Sequence, residues 1–223
     1  MVSIEEYYET YWNDPDDYND PTTPQRLTLL KKHLAYLPKG ARIIDVGCGR
    51  GEFCRFFKEM GLAPLGIDLS ENVIRYAKDK HPGIEFVAGE VQSLLPAHAA
   101  AFQAAFTSEV IEHLFDVEGY LKCVNRLLVP GGTLVVTTPY HSWIKNLVVD
   151  TFNYAQHYDP LGQHIRFFDK KGLDLCLRRS GFEAQVWTGY GRPWPMWKSF
   201  FVVAKKVSEP VEHPPHIGIG REA

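Results

Sequence analysis

Apolar positions in this chain fall into short blocks whose period switches in regular alternation. Leu27, Leu30, Leu34 and Leu37 recur at helical spacing, which predicts a helix over residues 25–37. Pro38-Lys39-Gly40 ends it. Residues 42–46 then form a short apolar block that runs into glycines and reads as a buried strand. Residues 52–60 read as helix and residues 63–67 as strand. Ser70 caps a helix that extends through Lys80, with Glu71 in its first turn. Residues 84–88 and 102–107 read as strands. A helix over 117–129 is closed by Pro130-Gly131-Gly132, and a strand follows over 133–138. Strands alternating with helices in this way predict a parallel sheet with right-handed crossovers.

Residues 139–168 break that rhythm. They are rich in Tyr, His and Trp and read as an insertion, with Asn146-Leu147-Val148-Val149 predicting a short helix with an apolar face. Asp169 caps a helix through Ser180, and Gly181 ends it. Residues 182–190 and 195–207 read as two long strands joined by a Gly/Pro turn, hence an antiparallel pair at the sheet edge. Residues 1–20 alternate aromatics with acids and read as an amphipathic lid helix, broken by Pro21 and Pro24. The polar, Pro/Gly-rich residues 208–223 read as a mobile tail. The expected layout is one domain over 1–207, with N-terminal lid helices over 1–37 and the 139–168 insertion on the substrate side.

Composition narrows the function classes. The chain has 223 residues, 45% of them apolar, which suffices for one continuous core. A net charge of −3 argues against general nucleic-acid binding. Cys48, Cys54, Cys123 and Cys176 make no C-x-x-C pair, so a disulfide framework or zinc site is not expected and a reducing compartment fits. The N-terminal residues have neither the basic nor the apolar region of a signal peptide. No apolar run approaches the ~20 residues of a membrane span. The expectation is a cytoplasmic monomer or homodimer that acts on a small molecule.

The strongest local chemistry lies at Asp45-Val46-Gly47-Cys48-Gly49-Arg50-Gly51, between a strand and a helix. Glycines there let the backbone turn tightly and approach a ligand closely. Asp68 ends the next strand, where an acid is placed to bind the two ribose hydroxyls of a nucleoside. Dinucleotide enzymes use similar loops, but with G-x-G-x-x-G spacing. Here the pattern is D-x-G-x-G-x-G.

That pattern resembles motif I of class I S-adenosylmethionine (SAM)-dependent methyltransferases, where the loop faces the sulfonium and amino-acid end of SAM. Gly66-Ile67-Asp68-Leu69-Ser70 resembles the second motif. Gly89-Glu90-Val91 falls where the family places an acid near the adenine amino group, usually Asp rather than Glu. Residues 128–134 resemble the turn before the fifth strand. The resemblance implies an α/β, Rossmann-like, seven-stranded methyltransferase sheet, mostly parallel with an antiparallel C-terminal strand pair. It also implies a cofactor-binding set of Asp45, Gly47, Cys48, Gly49, Asp68, Leu69, Glu90, Val91 and Ser108. Thr23-Pro24-Gln25-Arg26-Leu27 resembles the N-terminal segment of ubiquinone-type O-methyltransferases, in which an Arg pairs with the SAM carboxylate. Arg26 would do so here; the alternative is a solvated first-turn arginine.

Glu109, Glu112 and His113 follow the fourth strand. If a helix starts near Glu109, they sit at i, i+3 and i+4 and share one face. Two carboxylates and an imidazole so placed suit a divalent cation. The segment resembles the E-x-x-E-H element of quinone-biosynthesis O-methyltransferases and of small-RNA 2′-O-methyltransferases, which use Mg²⁺ or a similar ion. In the RNA group a downstream His completes the site, a part that His164 would take here. Three readings stand side by side. In one, Glu109, Glu112, His113 and His164 bind a metal. In another, His113 or His164 acts directly as general base. In the third, Glu109 caps a helix and His113 only packs.

Substrate identity is expected in residues 139–168 and the 190–197 turn, which hold Tyr140, His141, Trp143, Tyr154, His157, Tyr158, Tyr190, Arg192, Trp194 and Trp197. These aromatics would stack on a ring or cover the site, or else form a satellite cluster or dimer contact. The leading expectation is an O-methyltransferase for a small hydroxylated metabolite. The alternatives are a catalytically silent SAM-binding partner subunit and a NAD-dependent oxidoreductase.

Overall fold

The computed structural model describes residues 20–152, 154 and 164–211. The lid helix expected over 1–20 lies outside them except for Asp20, as do His157, Tyr158 and the end of the tail. The described elements run α1 (Thr23–Leu34), β1 (Arg42–Val46), α2 (Glu52–Glu59), β2 (Ala63–Asp68), α3 (Glu71–Lys80), β3 (Glu85–Ala88), the single turn α4 (Leu95–His98), β4 (Phe102–Ser108), α5 (Val117–Leu127), β5 (Leu128–Pro139), α6 (Trp143–Phe152), α7 (Lys170–Arg179), β6 (Phe182–Tyr190) and β7 (Ser199–Lys206). One seven-stranded sheet has the order β3-β2-β1-β4-β5-β7-β6. The first five strands pair in parallel, and β7 lies antiparallel between β5 and β6.

Helices cover both faces, so the central strands bury both of theirs and read as nearly continuous apolar runs. On one face Leu30 and Leu34 of α1 and Phe57 of α2 pack on Ile43, Phe106, Val135 and Phe201. On the other, Leu121 and Val124 of α5 and Leu173 and Leu177 of α7 pack on Ile44, Leu134, Val136 and Val202. Phe53 and Phe57 meet Phe106 edge-on at 4.9 and 5.7 Å between centroids. Such offset aromatic contacts add about 0.5–1.5 kcal/mol beyond burial. No helix among the described residues is long and apolar enough to cross a membrane.

Several element boundaries differ from the sequence pattern. Pro24 does not precede α1 but sits in its first turn, where its missing N–H leaves nothing unsatisfied. The helix expected to reach Val129 stops at Leu127, because Leu128 already pairs with Phe102; the register then jumps to Ala104 opposite Thr133. Pro130-Gly131-Gly132 therefore lies inside β5 as an irregularity. The last strand starts at Ser199 rather than Pro195. Residues 191–198 are spent in a turn that closes with Lys198 N–H donating to the Tyr190 carbonyl at 2.8 Å.

The insertion is less separate than its composition implies. Tyr140, His141 and Phe168 are buried, and Tyr140 packs edge-on against Phe200 at 4.8 Å. Its short helix, α6, is present with its faces reversed. The one buried side chain it contributes is Lys145, while Trp143 (77% exposed), Leu147 and Phe152 face out.

Candidate active site

β1 and β4 are neighbours, while the chain between them crosses to the other side through β2 and β3. Strand order reverses there, and the loops at the carboxyl ends of the two strands separate to leave a crevice. A cavity of about 540 Å³ fills it. Gly47, Cys48 and Gly49 form its floor. Gly47 has φ +78°, and a Cβ placed on it would lie 2.4 Å from Val110 Cγ2, so only glycine fits. The Gly47 and Cys48 amides donate to the Ile67 carbonyl at 2.8 and 3.0 Å, which fastens the loop to β2. Burial pushes the Cys48 thiol up to about 11, so it is an inert lining group.

Asp68 ends β2 and lines the cavity. One of its oxygens accepts from the Gly49 amide at 2.9 Å and the other from the Ser70 amide at 3.2 Å. The carboxylate is thereby aimed across the loop before any ligand arrives. Leu69, Glu90 and Val91 line the adjoining wall. Asp45 does not line the cavity. It lies 1% exposed beneath the loop, accepts a long contact from the Cys54 thiol at 3.5 Å, and is raised by burial to about 7.

Arg26 reaches the cavity from α1, with Ser108 from the end of β4. Arg26 is 4% exposed, so it is no solvated first-turn residue. Its guanidinium donates to Asp20 Oδ2 at 2.6 Å, Thr23 Oγ1 at 3.1 Å and Ser108 Oγ at 2.7 Å. It lies over the Phe53 ring at 5.0 Å. Its Nε is buried with no hydrogen-bond partner among the described residues. A buried donor left unmade is costly, and a carboxylate is the natural acceptor for it.

Glu109 departs from the helical spacing read in the sequence. It precedes the helical turn, which is a single 3₁₀ turn over Ile111–His113, and it holds φ +55°. That left-handed kink swings its carboxylate away from Glu112 and His113 toward the C-terminal strands. There it accepts from Thr137 and Tyr190 hydroxyls at 2.9 Å each and from Ser199 at 3.2 Å. Glu109 is not in the metal-type cluster.

Glu112, His113 and His164 do converge, each presenting one ligand atom within 4.8 Å of the other two. Glu112 is fully buried, its Oε2 accepts from Thr138 at 2.9 Å, and its Oε1 lies 3.9 Å from His113 Nε2 with no hydrogen-bond partner among the described residues. Burial, and then the charge of Glu109, raise its carboxyl well above the usual range. His113 lines the SAM-sized cavity, and its ring lies 5.0 Å from that of His164. His164 is held there by the backbone. The Ile165 and Arg166 amides both donate to the Glu112 carbonyl at 3.0 Å.

Some site residues escape sequence reading. Tyr120 on α5 lines the cavity with its hydroxyl 2.7 Å from Thr107, and Thr137 and Thr138 hold the two glutamates. The threonines had one signal, a polar pair at the carboxyl end of a parallel strand. Tyr120 had none, since its spacing matches an ordinary helical position. Of the expected substrate-side aromatics, Tyr140 and Tyr190 are core, whereas Trp143, Tyr154 and Trp194 are exposed.

Residues 22–185 match the family described as Methyltransferase domain. The ubiquinone biosynthesis O-methyltransferase of Bradyrhizobium sp. (strain ORS 278) is 30% identical over 70% of this chain and 68% of its own length. The mitochondrial ubiquinone biosynthesis O-methyltransferase of Homo sapiens is 29% identical over 67% of this chain; the match spans only 43% of that longer protein. Among solved structures, a Burkholderia thailandensis 1,6-didemethyltoxoflavin-N1-methyltransferase with bound S-adenosylhomocysteine superposes with a TM-score of 0.70, at 20% identity, covering 92% of this chain and 88% of that one. Ordered motifs, strand order and family match agree, and the chain belongs to the class I SAM-dependent methyltransferases, where it resembles the ubiquinone-biosynthesis O-methyltransferases.

Proposed function

We propose that this methyltransferase methylates an oxygen of a small hydroxylated acceptor bound beside His113. The observation that carries the reading is the meeting of Glu112, His113 and His164 at the edge of the SAM cavity, with Glu112 Oε1 buried 3.9 Å from His113 Nε2 and without a hydrogen-bond partner among the described residues. The cofactor's groups have matching partners. Arg26, with its unmatched Nε, suits the carboxylate; Asp68 suits the ribose hydroxyls; Glu90 suits the adenine amino group. SAM supplies an already activated methyl group, so the protein has to align an acceptor oxygen and remove its proton.

The cluster fits a divalent cation by its chemistry. A buried carboxylate oxygen and two imidazoles form a two-histidine, one-carboxylate set, which favours Mn²⁺, Fe²⁺ or Zn²⁺ over Mg²⁺. A cation there would lower the pKa of the acceptor hydroxyl and orient it. Without a cation, burial shifts the Glu112 carboxyl toward its protonated form, so a metal would compete with a proton there. In the metal-free form of the reading, His113 or His164 takes the acceptor's proton and passes it to solvent.

The test is turnover of labelled SAM against catechols, sugars and hydroxylated lipids, in EDTA and after adding back Mg²⁺, Mn²⁺, Fe²⁺ or Zn²⁺. Glu112→Ala is expected to abolish metal-dependent turnover and leave S-adenosylhomocysteine affinity unchanged. Full activity in EDTA would remove the metal and leave His113 or His164 as the base. Methyl transfer to nitrogen acceptors alone would overturn the oxygen assignment.

A further inference from the structure

We infer that Glu109 is a positioning residue for the cofactor, holding Arg26 through a relay of two hydroxyls, and is not a metal ligand. The inference rests on the reading that Arg26 meets the SAM carboxylate. The relay is continuous. Arg26 Nη1 lies 2.7 Å from Ser108 Oγ, which lies 2.8 Å from Thr137 Oγ1, which lies 2.9 Å from Glu109 Oε1. Its direction is fixed by its ends. A guanidinium only donates and a carboxylate only accepts, so both hydroxyl protons point from Arg26 toward Glu109. Ser108, its proton committed to Thr137, faces a ligand as an acceptor only.

Glu109 is itself pinned from three strands, by Thr137 of β5, Tyr190 of β6 and Ser199 of β7. Its left-handed backbone turns the carboxylate onto them and away from Glu112. A non-glycine residue at positive φ persists only where its surroundings over-determine it. With Asp20 on one side and the relay on the other, the guanidinium is held from two directions while its Nε stays unmatched. A donor held in place before binding loses less freedom when the ligand arrives. Tyr190 joins both ends, donating to Glu109 and lying 5.9 Å under the Arg26 guanidinium.

Calorimetry with S-adenosylhomocysteine on the full chain, paired with SAM kinetics, tests this. Thr137→Val cuts the relay and leaves Glu109 and Arg26 in place; Ser108→Ala cuts it at the other link; Thr137→Ser keeps it. Both cuts, and Glu109→Gln, are expected to weaken S-adenosylhomocysteine binding about three- to tenfold. KM for SAM should rise, kcat at saturation should hold, and Thr137→Ser should match the parent. In an Arg26→Met background, which is itself weakened, Thr137→Val should add nothing, and Glu109→Gln should respond to added metal as the parent does. If Arg26→Met leaves affinity unchanged, the carboxylate reading falls. If Arg26→Met weakens binding but the relay cuts do not, or add independently of it, the positioning role falls. Loss of metal response in Glu109→Gln with affinity intact makes Glu109 a ligand instead.

Discussion

At Asp45 the chain buries a carboxyl under the cofactor loop and raises it from 3.8 to about 7. Burial is the dominant cause, so the group costs stability once ionised. Between about pH 4 and 7 the folded protein holds a proton that the unfolded chain has released, and stability falls as pH rises through that window. The upper bound is about 4 kcal/mol at 1.36 kcal/mol per unit. Thermal unfolding is expected at progressively lower temperature from pH 5 to 7.5, with a shallower slope in Asp45→Asn. Identical slopes would refute the assignment. Glu112 acts in the same direction, so the slope flattens without vanishing. At this scale the sequence was informative about identity and poor about direction. Gly47, Asp68 and Arg26 line the cavity at the crevice between β1 and β4. Glu109 leaves the face expected of it, because helical spacing presumes a helix and a left-handed glutamate leaves no mark in the pattern.

α6 shows the same limit for an element. Its apolar composition marked a short helix, but no periodicity states which face turns inward. The inward face carries Lys145, whose ammonium donates to the Tyr140 carbonyl at 2.6 Å and the Lys198 carbonyl at 3.2 Å. Burial, with Arg192 next, draws its pKa down to about 8. The lysine thus clasps the end of β5 to the turn before β7. Lys145→Met takes its donor from the Tyr140 carbonyl and leaves the Lys198 carbonyl with only the Tyr140 amide, and should destabilise the docking of α6 by about 1–3 kcal/mol. Hydrogen exchange over residues 140–152 should quicken by ten- to a hundredfold while the sheet is unaffected. Unchanged protection would show that the clasp is idle. β5 was misjudged for a different reason. Pro130-Gly131-Gly132 is strong punctuation, yet pairing of Leu128 with Phe102 overrides it.

For the whole molecule, the sheet order was legible because strand-helix alternation, ordered motifs and a terminal strand pair all agree on one topology. Ligand binding should register in global stability, since the cavity joins α1, the β1 loop, the end of β2 and the segment after β4. S-adenosylhomocysteine at a hundred times its Kd should add about 2.7 kcal/mol. For a domain of this size that raises the melting temperature by about 5–11 °C. No shift would contradict a cofactor site built across these elements. The sheet order also dictates when the protein becomes itself. Among the described residues β6 has no hydrogen-bonding strand neighbour except β7, and β7, later in the chain, lies between β6 and β5. On the ribosome, β6 therefore emerges with nothing to pair with. The Tyr190 and Ser199 hydroxyls that fix Glu109 come into place only when residues 199–206 slot inward. The anchoring of Glu109, and with it the far end of the Arg26 relay, thus waits for β7, the last strand among the described residues.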